Sequence, residues 1–353
     1  MAPDAPAGEG PEPIDSYGYK AQGLMQRHPP RPKNDNKRLL FGISCPPGAK
    51  HGGAVRCGRW VEMPLPELVR PAGAAGFAVR DGFYDYAPAA EPATSSEPGP
   101  PAAEWHVHFA DPELFALYGT AVFVQDEWQV VEHPALAALK EARDAFGIPM
   151  RTVERGRPTP ILIAGAERRI RFATDPNAAE SRPEGLYGDN FSHAPEVAIR
   201  RATTVIDPPT TTNFVAISAP RGGRGRYRAA EIDLALATAF TGFRAAVVVS
   251  RRGLPEVPPG AGVVVHTGFW GCGVFGGNRV MMTVVQSLAA QMAGVDLLVF
   301  HVGDAAGRGP VARARTILRD VLAADAADAS IVAPELIRRI ESLGLEWGSG
   351  DGS

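Results

Sequence analysis

Residues 263–279 read VVVHTGFWGCGVFGGNR, an apolar run followed by a turn with four glycines between positions 271 and 277. Apolar side chains then recur at helical spacing from Met281 to Met292. This pattern predicts a β-strand, a tight loop and a helix. Glycines let backbone amides approach an anion without a Cβ in the way, and the following helix directs free N–H groups toward it. The stretch therefore predicts a loop that binds phosphate or diphosphate, unless the glycines serve only the tight turn.

Strand-like and helix-like segments alternate on both sides of this stretch. Short apolar runs typical of β-strands occupy Trp105–Phe109, Pro160–Ala164, Asn213–Ser218, Ala245–Ser250, Gly262–His266 and Leu297–Val302. Helical spacing is found at about Val122–Phe146, Tyr227–Phe243, Met281–Met292, Ala312–Ala323 and Pro334–Leu343. The alternation predicts an α/β fold with a mixed sheet flanked by helices.

Composition excludes several classes of protein. The 353 residues include 36 Lys and Arg against 39 Asp and Glu, a formal net charge of −3, so general nucleic-acid binding is not expected. No run of about 18 apolar residues predicts a membrane span. The three cysteines are an odd number in a chain without an apolar N-terminal signal, which indicates a reducing, cytoplasmic location rather than a disulfide framework.

Gly271, Gly273 and Gly276 also satisfy the G-x-G-x-x-G pattern of dinucleotide-binding proteins. In such proteins an acidic residue follows the motif by roughly 20 positions, and more of the sheet follows it. Here Asp304 ends the next strand at a greater separation, and little sheet remains. A dinucleotide-dependent oxidoreductase is therefore only an alternative.

The segment from Thr267 to Gly277 reads Thr-Gly-x-Trp-Gly-Cys-Gly-x-Phe-Gly-Gly, and a later strand ends in Phe300-His301-Val302-Gly303-Asp304. Together they resemble the C-terminal signature of the poly(ADP-ribose) glycohydrolase family. The resemblance implies a macrodomain-like α/β fold. It also implies that the diphosphate of ADP-ribose lies over the loop, with Phe275 beside the distal ribose. The implied ligand-binding residues are Gly271, Cys272, Gly273, Val274, Phe275, Gly276 and Gly277.

The family's catalytic signature, a strand of the type Val-Asp-Phe-Ala-Asn followed by three glycines and Gln-Glu-Glu, has a diverged counterpart. Val107–Asp111 is followed by Gln125-Asp126-Glu127 at a matching spacing. His108, Asp111 and Asp126 replace family residues, and Phe115-Ala116-Leu117 falls where the glycines belong. The resemblance implies that Glu127 is the catalytic acid and base, assisted by Asp126, and that Gln125 and Asp111 contact substrate.

Further segments extend the resemblance from about Trp105 to Asp304. Ile161–Glu167 is similar to an apolar strand that ends in Gly-x-Glu, and Val215–Ala219 and Ala239–Phe243 are similar to two later segments. Family tyrosines that follow Gly-x-Glu help to hold the adenine. Here Phe172 is the aromatic residue left for that role.

These patterns divide the chain into a disordered N-terminal tail (1–38), an accessory region (39–86), a low-complexity linker (87–103), a catalytic domain (104–345) and a frayed C-terminus (346–353). The tail and the linker are rich in proline and poor in large apolar residues, which favours disorder.

The chemistry of Glu127 agrees with this assignment. Hydrolysis of a ribose O-glycosidic bond needs a proton for the leaving oxygen, and one carboxyl group can give it and later take one from water. The alternative for an Asp-Glu pair is a solvated helix face. Neither His106 with His108 nor Cys272 with His266 completes a metal site or a thiol nucleophile. The basic loop Arg221–Arg226 is either a solvated turn or a guide for an anionic substrate.

The sequence thus predicts a monomeric glycohydrolase without metal or cofactor that acts on ADP-ribose attached to a macromolecule or to another ADP-ribose. The alternatives are an ADP-ribose-binding module of weak or no activity and the oxidoreductase.

Overall fold

A computed structural model of the chain describes residues 11–69, 75–89, 102–254, 257–258, 260–322 and 330–348. The strands are β1 Asp15–Lys20, β2 Ala54–Arg59, β3 Leu68–Val69, β4 Gly76–Arg80, β5 Ala103–Phe109, β6 Val153–Glu154, β7 Arg157–Pro158, β8 Ile161–Phe172, β9 Thr203–Ile217, β10 Val263–Thr267, β11 Leu297–His301 and β12 Ile331–Val332. The α-helices are α1 Ala21–Arg27, α2 Asp35–Ser44, α3 Gln125–Glu132, α4 Pro134–Ala145, α5 Asp189–His193, α6 Glu196–Ala202, α7 Ala229–Arg252, α8 Arg279–Ala293, α9 Arg308–Leu322 and α10 Ala333–Ser342.

The main sheet has eight strands in the order β1-β2-β8-β9-β5-β10-β11-β4. Strands β9, β5, β10, β11 and β4 are parallel to one another, whereas β1, β2, β8 and β9 are joined in sequence by antiparallel pairs. Strand β5 is central, since His106 is paired with Phe214 of β9 and with His266 of β10. The predicted α/β fold with a mixed sheet is confirmed.

Alternation along β5 places one hydrophobic core on each face of the sheet. Trp105 and Val107 belong to the core formed with α7 and α8. His108 points to the other face, where its ring lies 5.1 Å from the ring of Phe115 in the core formed with α3 and α4. Both faces are therefore covered by helices.

The strand predicted at Ala245–Ser250 is wrong, because these residues lie inside α7. Ala245, Ala246 and Val247 are fully buried, so a continuous apolar run here marks a helix covered by other elements rather than a strand. Helix α7 is long and apolar enough to cross a membrane, but 72% of its apolar window is buried in the protein, as in a core helix. The stretch predicted as helical at Val122–Phe146 is two helices, α3 and α4, separated at His133.

The tail predicted over 1–38 is wrong for residues 11–38. Strand β1 pairs with β2, and α1 packs against α4 through the buried side chains of Leu24 and Met25. The guanidinium of Arg143 lies 3.9 Å from the ring centre of Tyr17, which fixes β1 to α4. A few apolar residues suffice because they join an existing core; residues 1–10 lie outside the described part.

The predicted accessory region is not separate from the catalytic domain. Strands β2 and β4, both within 39–86, belong to the main sheet on opposite sides of β5. Most of the predicted linker, residues 90–101, lies outside the described residues, and Ala103 already belongs to β5.

The predicted frayed C-terminus is wrong for residues 346–348. The indole of Trp347 stacks on the ring of Tyr227 with centroids 4.1 Å apart, and its amide donates to the Gly225 carbonyl at 2.8 Å. Residues 349–353 lie outside the described part.

Candidate active site

The candidate active site lies at the carboxyl edge of the sheet. Because β5, β9 and β10 are parallel, the segments that follow them emerge at the same edge. These segments are 110–124 with the start of α3, the loop 218–226, and the glycine loop 268–278. The topology therefore brings the predicted catalytic residues close to the predicted anion-binding loop.

The first turn of α3 holds the predicted catalytic residues. Gln125 anchors this turn to β5, since its Oε1 accepts the Phe109 amide at 3.2 Å and its Nε2 donates to the Val107 carbonyl at 3.4 Å. The Glu127 Oε2 accepts the Val124 amide at 3.0 Å, and the Asp126 Oδ1 accepts the Glu127 amide at 2.8 Å. Both carboxyl groups are buried, with Glu127 2% and Asp126 8% exposed.

Three carboxyl groups meet at this point. Burial, followed by the charge of Glu127, raises the pKa of Asp126 well above its usual range. Burial and the charge of Glu127 also raise the pKa of Asp111, against the opposing effect of Arg221. Crowded buried carboxylates resist losing their last proton. The Asp126–Glu127 pair can therefore retain a proton at a pH where an exposed aspartate is ionised.

A buried lysine lies behind the start of α3. Lys37 of α2 is 0% exposed, and its Nζ donates to the Val122 carbonyl at 2.5 Å. Burial lowers the pKa of Lys37 to about 8, while the charges of Glu127 and Asp126 raise it. The lysine therefore provides a buried positive charge that interacts with the carboxyl pair. The sequence did not indicate this role, because Lys37 lies in the segment 1–38 that was predicted to be disordered.

The glycine loop presents three consecutive amides. Cys272, Gly276 and Gly277 donate their amides to carbonyls within the segment, those of Phe269, Gly273 and Gly271. Among the described residues, the amides of Gly273, Val274 and Phe275 donate to no protein acceptor. The Val274 side chain is 57% exposed, so this part of the loop lies at the surface. Successive unpaired amides form a concave site for an anion.

The glycines of this loop have different roles. A Cβ on Gly271 would lie 2.4 Å from the Ala219 Cβ, and one on Gly277 would lie 2.7 Å from the Gly271 oxygen. Gly271 and Gly276 also have φ of +73° and +66°. These three glycines are needed for the fold of the loop itself. Gly273 has no positive φ, so a side chain at this position would not strain the backbone.

Two other segments support the loop. A Cβ on Gly222 would lie 2.7 Å from the Phe275 oxygen, so the loop after β9 packs directly against it. On the other side, the Gly348 amide donates to the Gly276 carbonyl at 2.8 Å, and the Asn278 Nδ2 donates to the Glu346 carbonyl at 2.9 Å. Sequence reasoning missed this C-terminal support, because residues 346–348 carry no motif.

Phe172 does not join the site, and its prediction as an adenine-stacking residue is wrong. The ring is 1% exposed and packs edge-on against Phe123 and Phe191, at 5.5 and 5.8 Å between centroids. Phe172 is the last residue of β8, and the alternation of side chains along this strand directs its ring into the core.

The segment Phe115–Leu117 differs from an open glycine loop. Phe115 has φ of +61° and its ring is buried, while the Ala116 and Tyr118 amides donate within the segment to Glu113 and Phe115. The segment is a series of closed turns. It offers fewer unpaired amides than the glycine loop at 271–277.

The buried histidines at the centre of the sheet and Cys272 form neither a metal site nor a reactive thiol in the described part of the chain. His106 stacks flat on His266 with centroids 4.3 Å apart, and His266 Nδ1 lies 3.1 Å from His301 Nε2. Parallel rings cannot direct their nitrogens to one ion, and no metal-binding group of three side chains occurs in the described part of the chain. Burial raises the pKa of Cys272 to about 12, so its thiol stays protonated. A cavity of about 860 Å³ between α1 and α2 is lined by none of the predicted site residues.

The eight-stranded mixed sheet and the helices that cover both of its faces define an α/β protein. The model of the family described as poly(ADP-ribose) glycohydrolase, Macro domain fold, matches residues 180–308, which confirms the predicted resemblance over this part. The match includes the glycine loop and Arg221 but not Glu127.

Solved poly(ADP-ribose) glycohydrolases align over most of the chain at low identity. The enzyme from Thermomonospora curvata is 16% identical with a TM-score of 0.41 and covers 85% of each chain. The enzyme from Deinococcus radiodurans in complex with ADP-ribose is 12% identical with a TM-score of 0.37, and covers 87% of this chain and 95% of that one. No protein with a curated description matches.

Proposed function

We propose that the protein is a glycohydrolase that cleaves ribose O-glycosidic bonds of ADP-ribose in polymers or on proteins. The observation that supports this most is the placement of three unpaired amides, at Gly273–Phe275, on the same sheet edge as the buried Asp126–Glu127 pair. An anion held by the amides would bring an attached ribose toward the carboxyl groups. The family match over 180–308 agrees with ADP-ribose as that ligand.

In the proposed reaction, Glu127 donates a proton to the leaving oxygen as the bond from this oxygen to the anomeric carbon breaks. The resulting oxocarbenium-like carbon is attacked by water, which returns a proton to the Glu127 carboxylate. The products are free ADP-ribose and the released hydroxyl group. The pair suits this cycle because it retains a proton and is shielded from bulk water.

Asp126 has a different role in the proposal. The pair shares one proton, which Glu127 passes to the leaving oxygen, and the Asp126 carboxylate then accepts a hydrogen bond from a ribose hydroxyl. Gln125 keeps this turn in place through its two bonds to the β5 backbone.

The test is incubation of the purified chain with poly(ADP-ribose) and, separately, with a protein carrying single ADP-ribose units, followed by measurement of free ADP-ribose. We expect release that depends on Glu127. Absence of release from both substrates, with ADP-ribose still bound, would overturn the hydrolase proposal.

That outcome would favour the second candidate, an ADP-ribose-binding module. The closed turns at Phe115–Leu117 are the observation in its favour, because fewer amides then fix the diphosphate and the ribose. Absorbance of a bound nicotinamide or flavin in the purified protein would instead favour the oxidoreductase.

A further inference from the structure

The proposed substrate raises a problem of charge. A diphosphate carries negative charge, and the site contains the carboxyl groups of Asp111, Asp126 and Glu127. Like charges in a partly buried site repel strongly. Lys37 cannot offset this at the ligand, because it is fully buried behind α3 and bonded to Val122. An anionic ligand therefore needs a cation on the open side of the site.

Arg221 is placed on that side. It is exposed on the loop that follows β9, and its guanidinium carbon lies 5.8 Å from the ring centre of Phe275 in the glycine loop. Its charge also acts on Asp111. Arg221 is thus near the glycine loop, and its charge reaches one of the carboxyl groups.

The other arginines of this loop are placed differently. Arg226 is paired with Glu346 at 3.9 Å, whereas Arg221 forms no ion pair among the residues that the structure describes. Arg224 and Arg226 border a cavity of about 460 Å³ near the end of α10, which is not lined by any of residues 271–277. The position of Arg221 is held by the close packing of Gly222 on the Phe275 carbonyl.

We infer that Arg221 is the cation that binds the diphosphate of ADP-ribose, together with the amides of Gly273–Phe275. This inference rests on the proposed function. A guanidinium can give two parallel hydrogen bonds to phosphate oxygens. Arg221 therefore replaces contacts that the closed turns at Phe115–Leu117 do not offer, and it makes the site selective for ligands that carry a diphosphate.

Isothermal titration with ADP-ribose tests the inference on four forms of the whole chain: wild type, Arg221→Gln, Arg221→Lys and the matched control Arg224→Gln. We expect Arg221→Gln to weaken binding by about tenfold or more. Arg221→Lys should recover part of the loss, and Arg224→Gln should bind as the wild type does. Raising the salt concentration should weaken the wild type more than Arg221→Gln. Because both arginines are exposed, all four forms should keep the same melting temperature.

The outcomes separate the two proposals. Wild-type affinity in Arg221→Gln overturns this inference and leaves the proposed function standing. Equal losses in Arg221→Gln and Arg224→Gln also overturn it, since they indicate general attraction to a basic loop. A wild-type chain that does not bind ADP-ribose overturns the proposed function and this inference with it.

Discussion

The Glu127 carboxylate accepts the amide of Val124, so the residue expected to transfer the proton also caps the N-terminus of α3. A carboxylate at the third helical position commonly closes the first turn in this way. Catalysis and helix capping therefore have to be separated in any test of Glu127.

Replacement of Glu127 by glutamine separates the two roles. The amide oxygen of Glu127→Gln can still accept the Val124 amide, but it has no proton to transfer, so hydrolysis should fall by about a hundredfold or more while ADP-ribose binding is kept. The release of free ADP-ribose measures hydrolysis, and calorimetry measures the affinity for ADP-ribose. Asp126→Asn should reduce turnover less. Near-wild-type turnover in Glu127→Gln would mean that another group supplies the proton.

The two roles of the loop glycines can be distinguished by paired variants. Gly271→Ala places a Cβ against Ala219 at a positive φ and should lower the free energy of unfolding by about 1–3 kcal/mol. Gly273→Ala should keep the melting temperature and lower the affinity for ADP-ribose. Unchanged affinity for ADP-ribose in a folded Gly273→Ala variant would show that the ligand does not contact the backbone amides at this position.

Lys37 should influence the pH dependence of the reaction. Removing the charge of Lys37 in Lys37→Met makes the nearby carboxyl pair hold its proton to higher pH, so the alkaline limb of the rate profile, where that proton is lost, should move to higher pH. The exposed Lys33→Met variant is the control and should keep the wild-type profile. If both variants keep that profile, the field of Lys37 does not reach the reacting groups.

Buried histidines should make the fold sensitive to acid. Burial lowers the pKa of His108 to about 4 and those of His133 and His301 to about 3. Above about pH 6.5, the pKa of a histidine in the unfolded chain, each neutral buried histidine makes its full contribution to the free energy of unfolding. That stability is lost as the pH falls from there toward the folded value, by about 1.4 kcal/mol per pH unit for each histidine.

Asp126 acts in the opposite direction, because its folded pKa is raised and acid stabilises it. Urea unfolding at pH 7.5 and 5.5 should therefore show lower stability at pH 5.5, and a steeper loss in Asp126→Asn. Stability that does not change over this interval would indicate that the histidines are solvated in the folded protein.

The sequence predicted the central part of the fold, because β5, β10, α8 and β11 combine clear apolar periodicity with punctuation by glycine. The prediction failed where tertiary packing, rather than the local sequence, determines the structure. The run at Ala245–Val249 suits either a strand or a buried helix, and only the packing of α7 resolves this. Residues 11–38 are too polar to fold alone, yet their few apolar side chains complete a core formed by α4 and the sheet.

For the candidate site, the motifs marked segments that directly follow β5 and β10. Because these strands are parallel, their carboxyl ends lie at the same edge of the sheet, so the segments could be predicted to meet. Phe172 was misplaced because the direction of a side chain depends on strand register. Lys37 carries no motif, and the basic loop Arg221–Arg226 did not indicate which of its arginines lies near the glycine loop, because both depend on neighbours that are distant in the chain.

The bonds from residues 346–348 to the glycine loop have a consequence for synthesis. The loop leaves the ribosome well before Gly348 exists to donate its amide to Gly276. Until then, the stacking of Trp347 on Tyr227 is also missing. A nascent chain that already holds the sheet would thus lack this support of the candidate anion site until residues 346–348 have emerged from the ribosome.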